Sequence, residues 1–119
     1  MKRSPLLRRK PLRARKRRAK PGDDPAYLAF VRTLSCCCWG IGTACGGRIE
    51  ASHVTTALNM RGVSLKMPDR YAVPHCSKHH REWETRSGAF RGLSRWVRMQ
   101  IASNWVSQVQ AWYCARRAA

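Results

Sequence analysis

The chain has 119 residues, a length that suits one domain. Its 24 Lys and Arg against 6 Asp and Glu give a formal charge of +18, and eleven of those cations fall in residues 1–21, which hold no acid. A like-charge block this dense cannot fold alone, and its longest aliphatic run, Leu6-Leu7, is too short for a signal peptide or membrane span.

Residues 1–22 therefore read as a disordered basic arm, kept extended by Pro5, Pro11 and Pro21. Residues 23–119 read as the folded domain. A helix should start at Asp24-Pro25, an N-cap followed by a favoured first helical residue. Tyr27, Leu28, Phe30, Val31 and Leu34 give it one apolar face, read as core, through Leu34. Residues 35–47 form a Cys/Gly turn region. Residues 48–54 read as a strand, 55–70 as a loop anchored by Met60, Leu65 and Met67, and 71–73 as a second strand. A helix should follow from Ser77 to Arg86, ended by Ser87-Gly88. Beyond it, Phe90, Leu93, Val97, Ile101, Trp105, Val109 and Trp112 recur at helical spacing, with a break expected near Ala102-Ser103.

Six cysteines interleaved with histidines, and no secretory signal, point to metal rather than to disulfides. Cys76-x-x-His79 has the spacing of half a zinc site. Cys45-Gly46 looks like the end of the other half, with either Cys36 or Cys38 as its partner across an expanded turn. Cys37 and Cys114 read as small buried hydrophobes. His80 points away from His79, since adjacent helical residues project about 100° apart. One segment can thus hold a structural ion and offer a second imidazole. His53 ends the first strand, upstream of Asp69.

In order and spacing, Ile49 to Val54, Leu65 to Pro74 and Cys76-Ser77-Lys78-His79-His80 resemble the HNH endonuclease family, and more narrowly its small zinc-containing bacteriophage and prophage members. The likeness covers roughly residues 26–92, and the basic arm is similar too. It implies an α+β fold: a small zinc-stabilised ββα-metal core, treble-clef-like, flanked by helices. By position, His53 corresponds to the general base, a task suited to imidazole. Asp69 stands where the family has an asparagine that braces the loop and orients the histidine. His80 corresponds to a ligand of a catalytic divalent ion, Mg²⁺ or Mn²⁺. Three positions of the catalytic set depart from the pattern. Ser52 replaces a metal ligand, Asp69 replaces asparagine, and Glu84 stands where some relatives have a further histidine. Glu84 lies four residues after His80, so it is either a second ligand or a solvated carboxylate.

Glu50 should face away from His53 and serve the fold. His75 replaces a usually apolar residue and is expected to be partly exposed and structural. Lys66, Arg70, Lys78, Arg81 and Arg86 are the expected phosphate contacts. The expected activity is cleavage or nicking of DNA by a metal-dependent phosphodiester hydrolase in the cytoplasm of a bacterial host. Its rival is a catalytically weak, zinc-stabilised nucleic-acid-binding protein, favoured by Ser52 and Glu84. No membrane partner is expected. The apolar last helix permits a homodimer or a phage protein partner.

Overall fold

A computed structural model of the chain describes residues 18, 20–40, 43–56 and 67–118. Most of the basic arm, and Met60, Leu65 and Lys66 of the expected loop, lie outside the described residues. The architecture is α+β, with three α-helices and a two-stranded antiparallel sheet among the described residues.

Helix α1 spans Pro25–Val31. Asp24 caps it, its Oδ1 accepting from the Tyr27 N–H at 3.1 Å, and proline opens its first turn. It stops short of the expected Leu34. The chain tightens there into turns in which Thr33 N–H donates to Phe30 O and Leu34 N–H to Val31 O, both about one helical residue too short for an α-turn. Tyr27, Phe30 and Val31 are buried as anticipated.

Strand β1, Ile49–His53, pairs with strand β2, Ala72–Cys76, in the register Ile49↔Cys76 to His53↔Ala72. The second strand lies later than the expected 71–73. Asp69–Tyr71 winds into a 3₁₀ turn behind Pro68, closed by Tyr71 N–H to Pro68 O, and extended backbone begins only after it. All five residues of β2 are buried, with helices packed against it from both flanks of the sequence. Pro74 is tolerated because a two-stranded sheet leaves every strand an outer edge. Its carbonyl accepts from Cys37 N–H at 2.9 Å, tying the cysteine loop to the sheet.

Helix α2, Ser77–Thr85, follows β2 without a loop. Its terminator differs from the expected Ser87-Gly88: Arg86 takes the left-handed cap at φ 54°. Gly88 answers a different need. A Cβ there would lie 2.3 Å from Cδ of Glu82, whose carboxylate occupies that space. A 3₁₀ turn at Gly88–Phe90 then sets Phe90 edge-on to Trp83, centroids 5.0 Å apart.

Helix α3 runs unbroken from Arg95 to Ala118, so the expected break at Ala102-Ser103 is absent. Ser94 caps it, its Oγ accepting from Val97 N–H at 3.2 Å. The buried face is Met99, Ala102, Val106 and Val109, and it continues straight through the expected break. Core packing there outweighs the tendency of Ser103 to start a new helix. The expected stripe is rotated off this face. Val109 is buried and Trp105 packs against the core, but Val97 and Trp112 are exposed. Trp112 and Trp39 line an apolar groove of about 490 Å³ with Leu34, Cys37 and Trp105.

His75 is fully buried, not partly exposed as expected. Its ring meets Trp105 edge-on at 4.8 Å and lies near Trp83 and His80. Neither nitrogen has a hydrogen-bond partner among the described residues. Burial, with His80 and His79 nearby, pushes its pKa down to about 3, so the ring is neutral. An unpaired buried polar group costs about 1–3 kcal/mol. His75→Leu is therefore expected to raise the thermal midpoint by several degrees; a lowered midpoint in a calorimetric scan would show that the ring is a net stabiliser.

Candidate metal centre and polar cavity

The sulfurs of Cys36, Cys45 and Cys76 and a nitrogen of His79 all lie within 4.8 Å of one another. His79 Nδ1 is 3.5 Å from Cys36 Sγ, 3.6 Å from Cys45 Sγ and 3.1 Å from Cys76 Sγ. Tetrahedral bonds of about 2.3 Å to sulfur and about 2.0 Å to nitrogen require sulfur–nitrogen edges of about 3.5 Å. The four residues can hold a metal ion such as zinc.

Cys36, not Cys38, completes this group. Successive residues in a turn cannot all face one point, and the Cys38 N–H instead donates to Cys36 Sγ at 3.4 Å. Cys38 itself is buried in the core, where burial pushes its thiol well up. Cys37 is half-buried, and its thiol is pushed up to about 12 by burial and the neighbouring Cys36. Cys114 is exposed rather than buried as expected, because it falls on the solvent side of α3. Cys76 differs from its neighbours. Burial raises its thiol, but backbone N–H groups of His79 and Gly46 oppose this and bring it down to about 7, as befits a thiolate at a helix start.

Each ligand is held from behind. Cys76 is the N-cap of α2 and accepts from His79 N–H at 3.4 Å. Nε2 of His79 lies 3.2 Å from Thr43 Oγ1, which donates onward to Glu82 at 3.3 Å. That relay sets the ring so that Nδ1 carries the lone pair toward the sulfurs. The Cys45 loop is tied to α2 by Lys78 N–H to Gly46 O and Ser77 N–H to Arg48 O. Between those ties, Gly47 has φ +83°, and a Cβ there would collide with Ser77 Oγ. Gly47→Ala combines a left-handed penalty of about 1–2 kcal/mol with that clash. It is expected to lower the melting temperature and weaken metal retention in a chelator competition; wild-type values for both would refute this role for the glycine.

A second group of polar residues lies at the far end of the sheet. His53, the last residue of β1, places Nε2 2.9 Å from Asp69 Oδ1. Asp69 is buried, and its Oδ2 accepts from Asp24 N–H at 2.8 Å. Its own N–H donates to Gly22 O at 2.9 Å. A carboxylate receiving donors on both oxygens accounts for aspartate here: an asparagine would turn its NH₂ toward one of them. With Nε2–H directed to Asp69, the neutral His53 ring leaves Nδ1 as an acceptor.

His80 sits between two carboxylates, Nδ1 3.3 Å from Glu50 and Nε2 3.1 Å from Glu84. Glu50, read from the sequence as a structural residue or an alternative acidic partner, is a partner of the second imidazole. It shares a sheet face with Ser52, whose buried Oγ has no partner among the described residues. The carboxylates bracket the His80 ring on opposite nitrogens. Among the described residues only the Cys₃His set gathers three or more donor atoms at mutual ligand distance.

His53 and Glu84 line one cavity of about 290 Å³ with Thr55, Trp83, Arg86, Arg95, Arg98 and Met99. Arg70, Lys78 and Arg81 are not part of it. Arg70 lies over the ring of Tyr71 and lines another cavity beside α3. Lys78 Nζ donates to Ala44 O at 3.0 Å, next to the metal ligands. Arg81 is exposed on α2. Lys66 lies outside the described residues.

Residues 10–102 match the family model described as protein of unknown function, DUF968. The chain belongs to the DUF968 family. No curated protein and no solved structure matches it. The DUF968 segment contains all four metal-site residues, both imidazole–carboxylate groups and the cavity arginines. It begins inside the basic arm and ends in α3 ahead of Trp105 and Trp112. No helix among the described residues is long and apolar enough to cross a membrane.

Proposed function

We propose that this DUF968 protein is a zinc-stabilised, metal-dependent DNA endonuclease or nickase of the HNH type, phage- or prophage-encoded and acting in the cytoplasm of a bacterial host. The observation that carries the reading is the His53–Asp69 pair, 2.9 Å apart, opening onto a cavity lined by three arginines. Asp69 fixes the tautomer and the direction of His53, so that Nδ1 can take a proton from a water molecule. The water oxygen then forms a bond to phosphorus, one ester P–O bond breaks, and solvent protonates the departing oxygen. The strand–strand–helix order, with one imidazole ending β1 and the other on α2, supports a ββα-metal assignment. Cys36, Cys45, Cys76 and His79 hold zinc behind the site.

His80 with Glu84 or Glu50 supplies nitrogen and oxygen donors suited to Mg²⁺ or Mn²⁺. An ion held there would supply Lewis-acid polarisation of the phosphate and charge stabilisation for the departing oxygen. The test is cleavage of plasmid DNA with Mg²⁺ or Mn²⁺ by wild type and His53→Ala; equal rates would sink the mechanism. The rival reading, a zinc-stabilised DNA-binding protein with weak catalysis, draws on Ser52, sealed from solvent, and on the bracketing of His80. It predicts salt-dependent DNA retention without cutting.

A further inference from the structure

We propose that Arg98, with Arg86 and Arg95, forms a subsite for a phosphodiester group of a polynucleotide beside His53. The inference rests on the nucleic-acid reading above but not on cleavage. The three arginines come from two elements. Arg86 caps the end of α2, while Arg95 and Arg98 sit one turn apart at the start of α3. They share the 290 Å³ cavity with His53, a size at the lower edge of ligand clefts.

Arg98 is held at two points. Its Nη2 donates to Trp83 O at 2.7 Å, a carbonyl in the last turn of α2. Its guanidinium carbon stands 4.0 Å over the Trp83 ring. The group is therefore aimed before any ligand arrives. Its Nη1 is buried and has no hydrogen-bond partner among the described residues. Burial, and then the like charge of Arg86, lower its pKa from the ordinary value. A half-buried cation with one sealed, unpaired nitrogen and a like charge beside it is completed by an anion in the cavity. The carboxylate lining this cavity, Glu84, is engaged by His80. Guanidinium groups bind phosphate oxygens through paired N–H donors, which suits a charged diester better than a neutral ligand.

The test is binding of a labelled DNA duplex, followed by fluorescence anisotropy in the His53→Ala background across a salt series. Arg98→Gln is expected to weaken binding about tenfold or more and to lower the slope of log K against log salt by about one. Arg98→Lys should restore the slope but not the affinity, because charge returns without the paired donors. Arg86→Gln, which leaves the Arg98 bond to Trp83 O in place, checks the charge effect independently of the helix packing. Arg91→Gln, outside the cavity, is the reference for loss of one surface cation. Circular dichroism melts and zinc content establish that each variant is folded. Binding by Arg98→Gln and Arg86→Gln as tight as by Arg91→Gln would overturn the proposal. So would full displacement of the duplex by inorganic phosphate at fixed ionic strength, which would reassign the site to free phosphate. If wild type binds in this pattern yet cuts nothing, the hydrolytic reading fails and the subsite stands.

Discussion

His53→Ala is expected to slow phosphodiester cleavage by about 10²–10⁴-fold, the usual contribution of a positioned general base. Zinc content and melting temperature should stay near wild type, because the ring is about one-third exposed and its partner is a buried carboxylate that keeps other donors. Asp69 separates orientation from proton transfer. Asp69→Ala should cost activity and stability together, since it leaves Asp24 N–H without its acceptor as well as freeing the imidazole. Asp69→Asn should cost less. It can keep one oxygen for His53 but turns an NH₂ toward a donor. A rate for His53→Ala within twofold of wild type, with the protein folded, removes His53 from the chemistry.

Removing the ion from the Cys₃His centre is expected to unfold the domain. Structural zinc contributes apparent free energies of about 10–16 kcal/mol in small modules, as much as or more than the whole stability of a typical domain. The chain has reason to depend on it: beside the long α3, a two-stranded sheet and two helices of seven and nine residues give a modest core, and the centre joins the cysteine loop, the end of β2 and the start of α2. Purified protein should carry one zinc, and a strong chelator should abolish its helical circular dichroism in a single transition. Cys36→Ser and Cys76→Ser should each lose the ion, whereas Cys38→Ser should keep it, since Cys38 offers the centre only its backbone N–H. Metal-free protein with an unchanged melting curve would contradict a structural role.

The parts of this molecule legible in the sequence are those set by local chemistry. Asp24-Pro25 announced a helix start because a cap and a fixed φ act within one turn. Cys76-x-x-His79 announced a half-site because one helical turn fixes both ligands. What escaped depends on distant chain. The choice of Cys36 over Cys38 is made by a loop whose direction the spacing alone does not define. Arg86 usurped the left-handed position expected of a glycine, while Gly88 answered to a carboxylate six residues back. The rotation of the α3 stripe was hidden because tryptophans count as apolar whether or not they find a pocket. Arg98 lies 45 residues beyond His53, and in sequence it looks like one more surface cation. The signal that could have found it is an arginine among Trp96, Val97 and Met99 on an apolar helix, where a charge needs a reason.

The tie between Asp69 and residues 22–24 has a practical consequence for anyone trimming the protein. Charge density alone invites a cut after residue 22, where the cationic stretch gives way to acids. Such a cut deletes the carbonyl of Gly22 that receives the Asp69 amide, and puts a charged terminus one residue from the Asp24 amide on its carboxylate. The shortened protein would keep its metal clamp and melt cooperatively, yet hold its imidazole loosely, so a silent preparation could be mistaken for an inert protein. Versions beginning before Lys20, whose backbone also closes the turn onto Asp23, avoid that trap.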